Sequence, residues 1–467
     1  MTSEFLTLAP LTGEIIAELR AQVAGEVILP ADAAYETARL GFNLAVQHHP
    51  ALIVLAESAA DVAAAVRFAR QAGLPVNVQG TGHGMVRAAN DCVLIVTSRM
   101  NAVEIDPASQ TAHVGAGAVW GQVLEKAQAV GLAPLLGSSP TVGVVGYSLG
   151  GGFGWLGRKY GLATDSVLEI ELVNAQGEII RASASENTDL YWGLRGGSGA
   201  FGAVTRLTMK LYPVTQVFGG SLMYPAEMAR EVYAFFRAWV ADAPEELTSS
   251  IATMNFPPLP VVPEPLRGKS FVIVRALYSG TLEAGAALVG QWDQWRAPAM
   301  SSMRPMPFSE VATVSNDPTN PMPSLSSGGY VTDLSDDAVD TILRYALPAG
   351  GPPKLISLEV RHFGGAIARV PAENNAFSHR HAPFVMHMVG VTPTPEAEAD
   401  LAGHIAAFKQ AFAPHLLDGV YMNFLDGEES RARTHNAYEA DKFARLQALK
   451  AKHDPQNLFR SGFDLRV

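Results

Sequence analysis

Two glycine-bearing segments hold the residue types from which chemistry can be read. In Gln79-Gly80-Thr81-Gly82-His83-Gly84 a strand runs into a turn that groups several main-chain N–H donors around one imidazole. Successive N–H groups in such a turn form an anion nest suited to a diphosphate. The second segment, Ser138-Ser139-Pro140-Thr141-Val142-Gly143 through Gly154, has glycine at 143, 146, 150, 151, 152 and 154. Of the chain's 43 glycines, 15 lie between Gly137 and Gly202, a density that lets main chain lie flat against a ring system or a pyrophosphate. The ligand implied is a large phosphorylated cofactor.

Three other patterns compete with this reading. Gly197-Ser198-Gly199-Ala200-Phe201-Gly202 fits G-x-G-x-x-G, but a dinucleotide turn follows a strand and opens a helix. Here Asn187 to Leu194 reads as a helix and Val204 to Leu211 alternates as a strand, the reverse order. Gly146-Tyr147-Ser148-Leu149-Gly150 fits the G-x-S-x-G nucleophile elbow, which needs a helix after its serine. The following Gly151-Gly152-Phe153-Gly154 is a poor helix start, each glycine being about 0.8–1 kcal/mol worse than alanine. A serine hydrolase using Ser148 stays as a distant alternative. His379, His381 and His387 could ligate a metal, yet no carboxylate has matching spacing, so no metal site is expected.

The elements that must position these residues follow from periodicity. Ala51 to Ala56 reads as a strand, Ser58-Ala59-Ala60-Asp61 as a capped start to an Ala-rich helix ending at Gly73, and Pro75 to Gln79 as the next strand, a β-α-β unit. Strands are expected at Val93 to Thr97, Ala102 to Asp106, Thr111 to Gly115, Val167 to Asn174, Ile179 to Ser183 and Ala203 to Tyr212, with a helix from about Val119 to Val130. After Val214 glycine thins out. Proline-rich loops, Phe256 to Pro265 and Met303 to Pro323, separate alternating strands at Ser270 to Leu277, Leu355 to His362 and Phe384 to Val391. Helices interleave with them, which predicts an α+β unit with a mostly antiparallel sheet. The last 48 residues read as a strand, Val420 to Phe424, and a helix, Tyr438 to His453.

Composition bounds the function class. Lys plus Arg number 34 against 45 Asp plus Glu, a net charge of -11, so a phosphate backbone is an unlikely partner and no nucleic acid is expected. With 48% hydrophobic and 17% charged residues the chain is too apolar to be disordered, and its length suits two or three domains. No apolar run reaches membrane-spanning length and the amino terminus lacks a basic start followed by an apolar block, so the expectation is a cytoplasmic protein without a membrane partner. Cys92 is the single cysteine and can form no intrachain disulfide.

The runs Leu74 to Gly84, Ser139 to Gly154, Arg158-Lys159-Tyr160-Gly161-Leu162-Ala163-Thr164-Asp165 and Asp189 to Gly197 resemble the berberine-bridge-enzyme-like branch of the vanillyl-alcohol-oxidase (PCMH-type) flavoproteins. Tyr421-Met422-Asn423-Phe424 and His453-Asp454-Pro455-Gln456-Asn457-Leu458-Phe459-Arg460 are similar to the family's closing signature. The resemblance implies an α+β fold: a two-lobed FAD-binding domain over 1–213, core about 46–213, interrupted by a substrate domain over 214–418 with an antiparallel sheet flanked by helices, and a return segment over 419–467. It implies FAD held by Gln79, Gly80, Thr81, Gly82 and Gly84 of the first turn, and by Ser139, Thr141, Val142, Gly143, Gly146, Gly150, Gly151, Gly152 and Gly154 of the glycine loop. Val204, Tyr421 and Asn423 complete the set. The family's flavin-bonding histidine falls on His83, a link that raises the flavin potential and prevents dissociation.

Departures from the pattern sharpen these expectations. The family's second flavin link is a cysteine, and its position here is Ser139, so only the histidyl link is expected. Gln79 and Thr81 stand where many relatives have arginine and glycine, Tyr147 replaces a usual histidine, and Phe424 replaces a catalytic tyrosine. On the strand from Leu358, alternation puts Glu359 and Arg361 on one face. Glu359 is the first choice for general base, and Arg361 either orients an acidic or carbonyl group or pairs with Glu359. Tyr147 and His387 are further proton-transfer candidates. Valine at the family's gating position, Val142 here, is associated with oxygen access. The resemblance therefore implies an FAD-dependent oxidase acting on a hydroxylated small molecule such as a sugar, an alcohol or a secondary-metabolite intermediate, with molecular oxygen as acceptor. A flavin-dependent cyclase, oxygenase or dehydrogenase of natural-product assembly is the alternative; the oligomeric state is not read from the sequence.

Overall fold

The computed structural model describes residues 12–85, 87–347, 352–460 and 463–466, arranged around three sheets. The first contains β1 (Glu26–Ile28), β2 (Leu52–Leu55), β3 (Val76–Gln79) and β4 (Val93–Val96) in the order β1-β2-β4-β3. Strands β2, β4 and β3 run parallel, so β4 lies between the two strands of the β-α-β unit. The crossover helix, Ala59–Ala72, is capped by Ser58, whose hydroxyl accepts the Asp61 N–H, and is stopped by left-handed Gly73. The buried Asp61 carboxylate accepts the N–H groups of Ala24, Gly25 and Glu57, tying the preceding chain to this helix. The short antiparallel edge strand β1, which the sequence pattern does not announce, is part of that join.

The second sheet orders β5 (Val103–Asp106), β6 (Thr111–Gly115), β7 (Val167–Val173), β8 (Ile179–Ser183) and β9 (Ala203–Lys210) as β5-β6-β9-β7-β8. Helices Trp120–Gln128 and Val144–Leu149 pack with it around fully buried Trp120, Val144, Leu194 and Phe201.

The third sheet is antiparallel and holds β10 (Gln216–Pro225), β11 (Leu247–Asn255), β12 (Ser270–Tyr278), β13 (Met300–Ser301), β14 (Arg304–Pro307), β15 (Ser324–Val331), β16 (Ser357–His362) and β17 (Phe384–Val391). Its order is β13-β10-β12-β11-β16-β17-β15, with β14 also on β10. Alternation decides its two faces. Leu358 and Val360 of β16 point into a core shared with helices Ala229–Ala241, Asp336–Ala346 and Pro395–Phe412, leaving Glu359 and Arg361 for the opposite face. The proline-rich stretch before β15 is more ordered than its composition suggests, because β13, β14 and a 3-10 segment, Phe308–Val314, bind it to β10.

The carboxyl-terminal chain returns to the first sheet: Val76 donates to the Leu458 carbonyl at 2.8 Å, and buried Lys450 donates to Ala200 O, Phe459 O and Asp454. One expectation needs correction here. Val420 to Phe424 is no strand; Val420 N bonds Asn436 O, and Met422–Phe424 closes a 3-10 turn in which Phe424 N bonds Tyr421 O. The apolar alternation of this stretch serves burial on both sides of a turn, and among the described residues no strand pairs with it. Among the described residues no helix is long and apolar enough to cross a membrane.

Candidate active site

The β3 strand delivers the first turn at its carboxyl end. Gly82 has φ +76°, and a Cβ there would lie 2.5 Å from the Gly41 Cα, so the turn requires glycine for both conformation and packing. Segment 41–44 is bonded against it, Phe42 N donating to Thr81 O at 2.9 Å. Phe42 stacks on the His83 imidazole with ring centroids 3.7 Å apart, a contact that no spacing rule announces. The imidazole Nδ1 lies 2.8 Å from Thr81 Oγ1 and Nε2 lies 3.3 Å from Thr141 Oγ1, which is in turn 3.0 Å from Ser139 Oγ. Burial pushes the His83 pKa down to about 4, so the ring is neutral at physiological pH.

Residues fit a large phosphorylated cofactor at this turn. Among the described residues, none accepts from the N–H groups of Gly80, Thr81, Gly82, His83 or Gly84, the unengaged donor set an anion nest requires. A Cβ at Gly84 or Gly146 would meet nothing within 4 Å, and at Gly80 and Gly143 the nearest atoms stand at 3.5 and 3.4 Å. Gly84 and Gly146 therefore front open space, while Gly80 and Gly143 stand in ordinary van der Waals contact with Ala116 and Thr81. Those later in the loop have a different reason: a Cβ would come 2.0 Å from Asn423 Oδ1 at Gly150, 2.5 Å from Phe377 at Gly151, 2.5 Å from Tyr147 at Gly152 and 1.8 Å from Leu136 O at Gly154. Close packing of protein on protein, not ligand contact by their α-carbons, makes them glycine. Val142 is partly buried against the same core, its carbonyl accepting from Trp120 N, and Val204 is buried in β9.

Across from this loop lies the polar face of the third sheet. Register places Ser221, Arg275, Ser250, Arg361 and Val385 in one row and Glu359, His387 and Gly328 in the next. Glu359, 4% exposed, accepts from Ser250 Oγ at 2.6 Å, Arg275 Nη1 at 2.8 Å and Arg361 Nε at 2.8 Å. Burial alone would raise its pKa; the Arg361 and Arg275 charges and the Ser250 bond outweigh it and hold the carboxyl far below the usual range. A carboxylate so engaged is a poor proton acceptor, and of the two readings left open by sequence the geometry favours the ion pair. Arg275 and Ser250 escaped the sequence reading, although a lone arginine within the apolar run Ser270–Tyr278 was a usable signal. Burial first, and then the Arg361 charge, push His387 down to about 3.

One turn joins the two sides. Tyr421 Oη accepts the N–H groups of Gly152 and Phe153 at 2.9 and 3.0 Å, and Asn423 Nδ2 donates to Tyr147 O at 3.0 Å and Tyr421 Oη at 3.2 Å. Phe424 stacks on His387 at 4.2 Å and lies under the Arg361 guanidinium at 5.0 Å. Tyr147 meets Trp120 edge-on at 5.5 Å; its hydroxyl is buried without a hydrogen-bond partner, and burial raises its pKa well above 10.

The competing patterns gain no support. Ser148 is buried within the Val144–Leu149 helix and its hydroxyl has no hydrogen-bond partner, so no base activates it. The Gly197 to Gly202 run leads from a helix into β9. His379 bonds Asn436 O, and among the described residues no cluster of His, Cys, Asp and Glu could hold a metal.

Comparison with known proteins adds independent observations. Residues 50–183 match the FAD binding domain model and residues 420–462 the model described as berberine and berberine like. The chain is 29% identical to (R)-6-hydroxynicotine oxidase of Paenarthrobacter nicotinovorans over 95% of its own length and 97% of the relative's. It is 27% identical to an FAD-linked oxidoreductase of Dictyostelium discoideum, covering 91% of this chain and 90% of that protein. The solved structure of BBE-like 1 from Physcomitrella patens superposes with a TM-score of 0.84 at 25% identity, covering 97% of this chain and 99% of that one.

Proposed function

Because the chain belongs to the berberine-bridge-enzyme-like FAD-dependent oxidoreductases, we propose that it is an oxidase with FAD linked through His83 alone. Its substrate in this reading is a hydroxylated small molecule, a sugar, an alcohol or a secondary-metabolite intermediate, and molecular oxygen is the electron acceptor. Residues 1–213 and 419–467 form the cofactor unit and 214–418 the substrate unit. One observation carries the reading: the Tyr421 to Phe424 turn holds the glycine loop with its tyrosine and asparagine and stacks on Arg361 and His387 with its phenylalanine. The cofactor loop and the polar sheet face therefore meet at one place.

FAD, when bound, supplies the two-electron acceptor for a hydride from the substrate C–H. The N–H groups of the 80–84 turn would hold its diphosphate, His83 would anchor it, and Asn423 with the main chain at Gly143 and Gly146 would border it. Arg361 spends Nε on Glu359, and its Nη groups donate to no described residue, so they are available to orient an acidic or carbonyl oxygen of the substrate. His387 is neutral and partly exposed on the same face, where its ring nitrogen is placed to accept a hydrogen bond from the substrate's hydroxyl. An anionic substrate group against Arg361 offsets the charge that depresses His387 and so raises its basicity when substrate is in place. Glu359 fixes both arginines. Tyr147 stays a phenol at neutral pH and shapes the wall beside the ring.

The test combines three readouts on the protein as purified: peroxide release across sugars, alcohols and aromatic natural products, air reoxidation after dithionite, and acid precipitation. Peroxide with substrate, reoxidation much faster than free flavin, and yellow colour retained in the precipitate are expected. Reoxidation no faster than free flavin would sink the oxidase assignment, and colour left in the supernatant the covalent one.

A further inference from the structure

We propose that the substrate carries a carboxylate, bound by the Nη1–Nη2 edge of Arg361 while the substrate's hydroxyl faces His387; this narrows the substrate class of the oxidase reading above and rests on that reading for the hydroxyl. The charge balance of the polar sheet face carries the inference. Two guanidiniums share one carboxylate: Glu359 Oε1 accepts from Arg275 Nη1 and Oε2 from Arg361 Nε, each at 2.8 Å. Arg275 is sealed in, its Nη2 lying 3.1 Å from Met254 Sδ and its side chain 6% exposed. Arg361 is open on one side. Its Nη1 and Nη2 donate to no described residue and are not among the unpartnered atoms closed off from solvent, so that edge fronts accessible space.

Asp317 attracts Arg361 through space, but among the described residues it forms no ion pair with it. The clamp therefore keeps one positive charge on a side chain that is only 13% exposed. Such a charge is costly without a counter-ion, and a bound anion removes that cost. A carboxylate fits best: its single charge matches the one left over, and its two oxygens match two N–H groups on one edge of a planar guanidinium. A neutral sugar would leave the charge uncompensated. Phe424 ties the two ends of the site together, its ring stacking on His387 at 4.2 Å and lying 5.0 Å from Arg361 Cζ. Carboxylate and hydroxyl therefore belong to one small molecule, a hydroxy acid. Burial and the Arg361 charge keep His387 neutral, so it can accept from the hydroxyl.

The test reads binding to the FAD-loaded full chain at pH 7 as a change in flavin absorbance, so it needs no turnover. The probes are matched pairs that differ in charge: benzoate and benzamide, glucuronate and glucuronamide, lactate and lactamide. In at least one pair the acid should bind about tenfold more tightly or better, the effect of about 1.4 kcal/mol from one charge-assisted pair. Arg361→Gln should bring that ratio close to one, and Arg361→Lys, which keeps the charge and loses the planar edge, should lower it part way. Acids bound no better than amides in all three pairs, or no response to any acid, overturns the proposal. An acid preference that survives Arg361→Gln overturns it too, and a lowered flavin potential in that variant would then assign the guanidinium to the cofactor. The wild-type comparison does not depend on the folding of any variant. Acid preference without peroxide from any hydroxy acid refutes the oxidase reading and leaves the carboxylate site standing; peroxide from neutral sugars without acid preference does the reverse.

Discussion

Replacing Glu359 by glutamine separates an ion-pair clamp from a general base. The wild-type carboxylate is 4% exposed and receives three donors, Ser250 Oγ, Arg275 Nη1 and Arg361 Nε, from three neighbouring strands. Glutamine keeps one acceptor oxygen for Ser250 and Arg275, but its amide nitrogen then faces the Arg361 Nε–H, donor against donor. Two guanidinium side chains with relative exposures of 6% and 13% lose their shared counter-charge. Removing one partner of such a buried pair costs about 3–5 kcal/mol, and urea unfolding followed by tryptophan fluorescence should find the substrate unit weakened by that amount at pH 7. The pH dependence has a defined sign. The carboxyl pKa is depressed below the ordinary 4.5, so its stabilisation is complete above that pH and is lost as pH falls toward the folded value. The gap between wild type and variant should therefore be full at pH 7 and narrow only well below pH 4.5. A Glu359→Gln protein as stable as wild type, with kcat down by orders of magnitude and KM unchanged, would refute the clamp and restore the carboxylate as base.

Other outcomes follow from the same contacts. Tyr421→Phe orphans the Gly152 and Phe153 amides, each costing about 1–3 kcal/mol, and hydrogen exchange at those two amides should speed by about tenfold or more; unchanged exchange would contradict the bonding seen here. Burial holds the Asp426 carboxyl up to about 7, so stability should decline as pH rises from about 3.8 toward 7. Asp426→Asn, which retains the acceptor for Ser326 N, should raise the free energy of unfolding at pH 8 by about 4 kcal/mol and leave it unchanged near pH 4. Gly154→Ala drives a methyl into the Leu136 carbonyl and should sharply reduce soluble folded protein, whereas Gly146→Ala points into open space and should fold normally while retaining less FAD, measured as flavin per chain.

Much of this architecture was legible beforehand because it rests on short-range rules. Gly73 stopping a helix, Ser58 capping one, and the alternation Leu358-Glu359-Val360-Arg361 report local conformation, and each appears where its pattern indicates. The glycine loop was legible as a dense cluster but not in its division of labour. Gly146 faces open space, Gly143 lies in van der Waals contact with Thr81, and Gly150 to Gly154 are tightened against Asn423, Phe377, Tyr147 and Leu136. The apolar spacing of Val420 to Phe424 suits either a strand or a buried turn, and the absence of a pairing strand among the described residues decides for the turn.

By itself the sequence determined the cofactor turn, the parallel unit that carries it, the antiparallel sheet beyond residue 214, and the family through motifs spread along the chain. Tertiary structure alone decided how the candidate groups are tuned. Phe42 reaches His83 through the 41–44 segment, Arg275 reaches Glu359 from 84 residues away, and Tyr421 reaches Gly152 from 269. Protonation states depend on such distant neighbours and on burial, neither of which local periodicity encodes: the same Glu359 is a free base in an open strand and a locked counter-ion between two arginines.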